Sequence, residues 1–278
     1  MTQAIHALRS SDHPPVETPR DLRTAMRLLD RAATGSGALL CYADHGVLLG
    51  SVLMERGRVC WATCKGCEPR LAELLVAAGQ GLTLAEASEV VAQHRRALTP
   101  WADDLVARQR ITLSALRRVL LRHTAEAFGH LATTTFHQWS WTAHAPRPPH
   151  PMLSFSAMEV LVSMAELRDP GRAERALAML QGSAGSTLRG FALQRAAGGC
   201  VPVAQLACED LDATVLHQLA RQAEDTMSGA RVAGIRAAVV ELDQWCFAAW
   251  EHEETCYVLL CDDGLRFNRL LAQVAGLV

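Results

Sequence analysis

The stretch CWATCKGC, residues 60–67, sets Cys60, Cys64 and Cys67 in a C-x3-C-x2-C spacing, and thiols so spaced are equipped for metal or redox chemistry. Three thiolates converging from an open loop can hold an iron–sulfur cluster. Zinc needs a fourth ligand to complete its tetrahedron, and His45, in the turn ahead of this stretch, is the histidine within reach. Cys64 and Cys67 alone have the C-x2-C spacing of a dithiol redox couple.

Each of these uses makes demands on the surroundings. Radical enzymes that carry a three-thiolate cluster house it in a barrel of alternating strands and helices, but here the stretch abuts a strand meander. The residue before the last cysteine, often aromatic in those enzymes, is Gly66. A second CxxC to complete a zinc site is missing, and so is the βαβ pattern of a thioredoxin-like couple. The expected state is reduced thiols with no bound cofactor. The alternative is a metal- or redox-responsive sensor built on Cys60, Cys64 and Cys67, holding zinc or an iron–sulfur cluster.

Other residues with chemical potential lack the neighbours that chemistry requires. GSAGST, residues 182–187, has the small residues of a phosphate loop but no lysine, and it follows a helix where such a loop follows a strand. GVLLGS, residues 46–51, has the same defect. His123 and His130 share a helix face with no acid or thiol tied to them by spacing, and His137, His144 and His150 straddle a strand and a proline-rich stretch. Asp103-Asp104 and Asp262-Asp263 stand at helix starts and turns, where acids serve as caps and solubilising charges. No serine sits in a G-x-S-x-G elbow. Catalysis has no candidate, and the chain reads as a non-enzyme.

The elements that would position these residues follow from periodicity and breakers. The chain has 278 residues, 50% hydrophobic and 20% charged, which suits a globular protein of two domains. A formal net charge of −2 argues against broad binding to nucleic acid or anionic membrane. No apolar run approaches a membrane span and the N-terminus lacks a signal-peptide core, so the expected location is the cytoplasm. Nine cysteines are then mostly small buried hydrophobes.

Residues 1–18 read as a disordered tail, followed by a helix from Asp21 that ends at TGSG. Strands ALLCYAD, GSVLMER and RVCWATC come next, the last two joined at Arg56-Gly57. Helical patterns then run from Pro69 to the end of LSALRRVLLRHTAEAFGHLA, before a strand in FHQWSWTAH. PRPPHP, residues 146–151, is the linker, and residues 152–168 form a connecting helix. Beyond it the order is αββαβββα: a helix AERALAMLQ ended by GSAGS, strands TLRGFALQR and CVPVAQLA, a helix over DATVLHQLARQAEDTM, three strands, and a closing helix. Asp212 is placed to cap the middle helix, whose apolar stripe is Leu216, Leu219, Ala220, Ala223 and Met227. The fold class is α+β.

The order over residues 169–278, with TLRGFALQRAAGGCVPVAQ and YVLLCDDGLRFNRLLAQV, resembles the Roadblock/dynein-light-chain domain, a sheet of five antiparallel strands with helices on its faces. GSVLMERGRVCWA, residues 50–62, and PRLAELLVAAG, residues 69–79, are similar to the G-x-L-x-x-x-x-G-R-V-x-x-A strand pair and A-x-x-x-L-L helix of PATAN domains, the N-terminal module of PatA-type regulators. That likeness covers about residues 20–167, and the PATAN-like domain is expected over residues 19–145. Together the resemblances imply a bacterial cytoplasmic signalling adaptor. It would pair with itself, or with another Roadblock-like chain, and bind a small Ras-like GTPase.

Two surfaces are candidates for that binding. Trp139 and Trp141 share one face of their strand, either as core or as an exposed docking strip. Gln218, Arg221 and Asp225 lie opposite the apolar stripe of the middle helix, and the Roadblock resemblance makes that helix part of dimer and partner surfaces. A purely structural scaffold for a response regulator is the remaining alternative.

Overall fold

A computed structural model describes residues 28–29, 35–43, 46–97, 101–133, 138–146, 153–184, 188–196, 199–208, 211, 213–232, 237–241 and 246–261. The expected N-terminal tail, most of the first helix, nearly all of the PRPPHP stretch, the Asp212 cap and the closing helix lie outside these residues, as do His45, His137, His150 and Asp262-Asp263.

Two antiparallel sheets divide the strands. The first contains β1 (Gly37–Tyr42), β2 (Leu48–Glu55), β3 (Arg58–Cys64) and β4 (Gln138–Ala143), in the order β3-β2-β1-β4. Arg56 and Gly57 close the β2–β3 hairpin with φ of 50° and 76°, the pair of positive values that a two-residue type I′ turn uses. Gly50 is required by a close approach: a Cβ there would lie 2.1 Å from the Thr63 carbonyl oxygen on β3.

Four helices separate β3 from β4: α1 (Glu68–Ala78), α2 (Leu84–Ala97), α3 (Trp101–Ala107) and α4 (Leu113–Thr133). Local chemistry starts two of them. Thr83 and Glu86 form a reciprocal cap at the head of α2, and the Thr112 hydroxyl accepts from the Ala115 N–H 3.2 Å away at the head of α4. Along α4, Leu116, Val119, Leu120, Phe128 and Leu131 are buried, a spacing that turns one broad stripe toward the core. Each such side chain contributes about 1.5–3 kcal/mol by leaving water, which is why this 21-residue helix anchors the half.

Next come α5 (Ala157–Arg168) and α6 (Arg172–Ala184). The helix expected to stop near Gln181 continues to Ala184, and a Cβ at Gly182 would meet nothing, so its small residues there leave no clash. The second sheet contains β5 (Arg189–Ala196), β6 (Gly199–Leu206), β7 (Ala237–Glu241), β8 (Cys246–His252) and β9 (Thr255–Cys261), ordered β6-β5-β9-β8-β7, with α7 (Ala213–Val232) between β6 and β7. The chain is α+β.

One face of the second sheet presents Phe191, Leu193, Phe247, Val258 and Leu260 to the stripe of α7, whose Leu216, Leu219, Ala220, Ala223 and Met227 are all buried. The other face, with Ala192, Ala248, Trp250, Tyr257 and Leu259, joins a core continuous with that of the first sheet. No helix among the described residues is long and apolar enough to cross a membrane.

Candidate interaction site and the junction behind it

The cysteine stretch owes its spacing to a bulge and a turn. Leu53 pairs with Trp61 and Met54 with Val59, which leaves Cys60 as the extra residue of a β-bulge on β3. Its Sγ lies 3.8 Å from the Arg58 carbonyl oxygen. Cys64 ends the strand with its side chain in the core, 4% exposed. Lys65 and Gly66 then make a turn in which the Cys67 N–H donates to the Cys64 carbonyl at 3.0 Å, with Gly66 at φ +91°, as the third position of a type II turn requires. Cys67 is the N-cap residue of α1, and Pro69 stands in that helix's first turn.

These three thiols face different surroundings: a bulge, the core, and a helix start. Burial pushes the Cys60 thiol up to about 11, reinforced by the Glu55 charge and opposed by Arg58. A reactive cysteine needs the opposite shift. All nine cysteines are thiols. Among the described residues, no three His, Cys, Asp or Glu side chains gather as metal ligands.

The other candidate groups are dispersed. His123 is buried on α4, its ring centroid 5.0 Å from that of Trp61, while His130 is exposed at the end of the same helix. His144 Nε2 stands 3.4 Å from Glu55 Oε1 at the edge of the first sheet. Asp104 pairs with Arg108 one turn on, on the surface.

Of the two tryptophans on β4, Trp139 is core and Trp141 packs beside it. Trp139 is 3% exposed and meets Phe128 of α4 edge-on, centroids 6.3 Å apart and planes at 84°. Trp141 is half-buried across from β1, where a Cβ on Gly37 would come within 2.6 Å of its ring. Trp139 turns inward and Trp141 is half-buried on the same face, while Gln138, Ser140, Thr142 and Ala143 are exposed. The reading as an exposed docking strip is corrected for Trp139, which packs against α4, while half-buried Trp141 lies beside the same core.

Gln218, Arg221 and Asp225 are exposed along α7, opposite its buried stripe. That helix packs against β7, an edge strand with β8 as its one ladder neighbour among the described strands. Ala237, Ala238, Val239 and Val240 of β7 are all half-buried, while Cys246, Phe247, Ala248, Ala249 and Trp250 of adjacent β8 are fully buried. The opposite edge, β6, is protected. Pro202 removes one ladder donor, the Glu224 carboxylate accepts from the Cys200 N–H at 3.2 Å, and α5 and α6 pack over the strand.

Behind these surfaces lies a junction that the sequence reading did not identify. Val59 and Phe155 exchange two backbone hydrogen bonds of 2.8 Å, fixing the entry to α5 beside β3. Ser156 caps α5, its hydroxyl accepting from the Glu159 N–H at 3.1 Å while the Glu159 carboxylate accepts from the Ser156 N–H at 2.7 Å. The same buried carboxylate pairs with Arg117 of α4. Arg117 also donates to the Ser154 carbonyl at 3.1 Å and lies 4.8 Å over the Phe155 ring. Arg58 donates to the Ser154 hydroxyl and carbonyl at 2.8 and 2.9 Å, with a guanidinium nitrogen 4.0 Å from Glu159. At its far end α5 carries Glu166, which accepts from the Gly171 and Ala173 N–H groups that open α6. The S-x-x-E spacing at 156–159 was the available signal for the cap, but nothing in the sequence marks Arg58 and Arg117 as its partners.

No protein-family model, curated protein or solved structure matches this chain.

Proposed function

We propose that the chain is a non-catalytic signalling adaptor that self-associates through the β7 edge and the exposed face of α7, and that binds a small Ras-like GTPase. The observation that carries this reading is the contrast between the two edges of the second sheet. An apolar strand with unpaired ladder groups is a template for pairing with another chain, and only the β6 edge carries the devices that prevent it among the described residues. Pairing by β7 would bring the exposed row Gln218, Arg221 and Asp225 alongside the added chain, as one composite surface. Five antiparallel strands with a long helix on one face accord with the Roadblock resemblance, from which the class of partner is taken.

Affinity capture from native lysate, run with GDP and with a non-hydrolysable GTP analogue, tests the partner. A Ras-like GTPase recovered in one nucleotide condition, and lost when Gln218, Arg221 and Asp225 are all changed to alanine, is the expected result. Two eluates with no GTPase would remove the partner from the reading.

A further inference from the structure

We propose that Cys246 and Cys261 are an oxidisable dithiol, a modification site in the second sheet. They are 15 positions apart in the chain, and the β8–β9 register sets them directly opposite each other. Directly opposed residues share a sheet face, with Cβ atoms roughly 4.5–5.5 Å apart. Both belong to the same buried cluster, at 5% and 3% exposure. A disulfide needs Cβ atoms at about 3.5–4.5 Å, so the strands must draw together by on the order of 1 Å. The pair closes the β8–β9 ladder, being the first residue of β8 and the last of β9, so only one end of the ladder has to move.

The remaining thiols are excluded or less well placed. Cys200 and Cys256 lie on β6 and β9, with β5 between them, so two strand spacings of about 4.8 Å keep them apart. Cys60 and Cys64 are four residues apart on one strand, roughly 13 Å. Cys41 stands opposite Gly50 and Trp139. Cys208 donates to the Gly190 and Leu206 carbonyls. Cys64 and Cys67 flank a turn, but one side chain lies in the core and the other at the helix start.

Hydrogen peroxide, small enough to reach the end of this ladder, is the co-reactant. One thiolate attacks a peroxide oxygen, the O–O bond breaks, and hydroxide leaves and takes up a proton as water. The resulting sulfenic acid is attacked by the second thiol, which expels its oxygen as a second water. Two thiols and one hydrogen peroxide thus become one disulfide and two waters.

The full chain is treated with hydrogen peroxide, remaining thiols are alkylated in denaturant, and the chain is cleaved after glutamate. Cleavage at Glu251, Glu253 and Glu254 separates Cys246 from Cys261. The expected product is a reducible pair of peptides joined through Cys246 and Cys261 and lighter by two hydrogens. It is lost in Cys246→Ala and Cys261→Ala and kept in Cys256→Ala and Cys64→Ala. A link between Cys64 and Cys67 alone, sulfinic acids without a link, or full alkylation of Cys246 and Cys261 would each overturn the proposal. Because Cys256 shares the C-terminal peptide with Cys261, fragmentation of the linked pair between these two residues assigns the bond in the unsubstituted chain, whether or not a variant folds.

Discussion

Cys41, Cys60 and Cys256 hold their protons well past the ordinary thiol value of 9.0, to about 12, 11 and 12, because burial penalises each thiolate. In the unfolded chain these groups ionise at the ordinary value, so the folded state binds more protons between the two. Their contribution to stability is complete below pH 9.0 and is lost as pH rises through 11 to 12. Urea midpoints should therefore fall between about pH 8 and about pH 10.5, and fall less in Cys41→Ala. An identical fall in both chains would contradict the assignment. Composition made these thiols legible as buried hydrophobes. The pattern CWATCKGC carried no sign that Cys60 sits in a bulge, because a bulge is set by pairing with β2, far from the motif itself. The Trp139 and Trp141 alternation was equally legible as a shared face, while the direction of that face depended on α4 lying beneath it.

At the scale of elements, the described strands, helices and turns followed closely from local signals. β3 covers RVCWATC, and the Arg56-Gly57 turn and the buried stripe of α7 fall where periodicity and turn residues place them. What local signals could not supply is the contact between elements distant in sequence. Glu159 joins α5 to α4 and β3 by pairing with residues 42 and 101 positions upstream, Arg117 and Arg58. The carboxylate is 7% exposed and both guanidiniums are about a fifth to a quarter exposed, so removing the charge leaves two partly buried cations without their counter-ion. Glu159→Gln should cost about 3 kcal/mol by the urea midpoint at unchanged slope, whereas Arg108→Ala, which breaks an exposed pair, should cost under about 0.5 kcal/mol. Equal effects would mean that the junction is no stronger than a surface pair.

For the whole molecule, the same helix that receives this ionic clamp at its start packs along β6 and against α7, and the core of the first sheet runs unbroken into one face of the second. The two sheets are thus coupled by packing as well as by chain connectivity. A partner bound at β7 and α7 would act on a body whose halves share one interior. The edge contrast that supports self-association arises only at this scale, because the sequence shows five strands without showing which two become edges. Pro202 is compatible with an edge at β6, but β7 is an edge only because the order is β6-β5-β9-β8-β7. Size-exclusion chromatography with light scattering at micromolar concentration tests the central claim most directly. The account predicts a molar mass of twice the chain's 30.2 kDa, reverting to 30.2 kDa when Val239 is changed to proline. A strict 30.2 kDa species from the unsubstituted chain would contradict it.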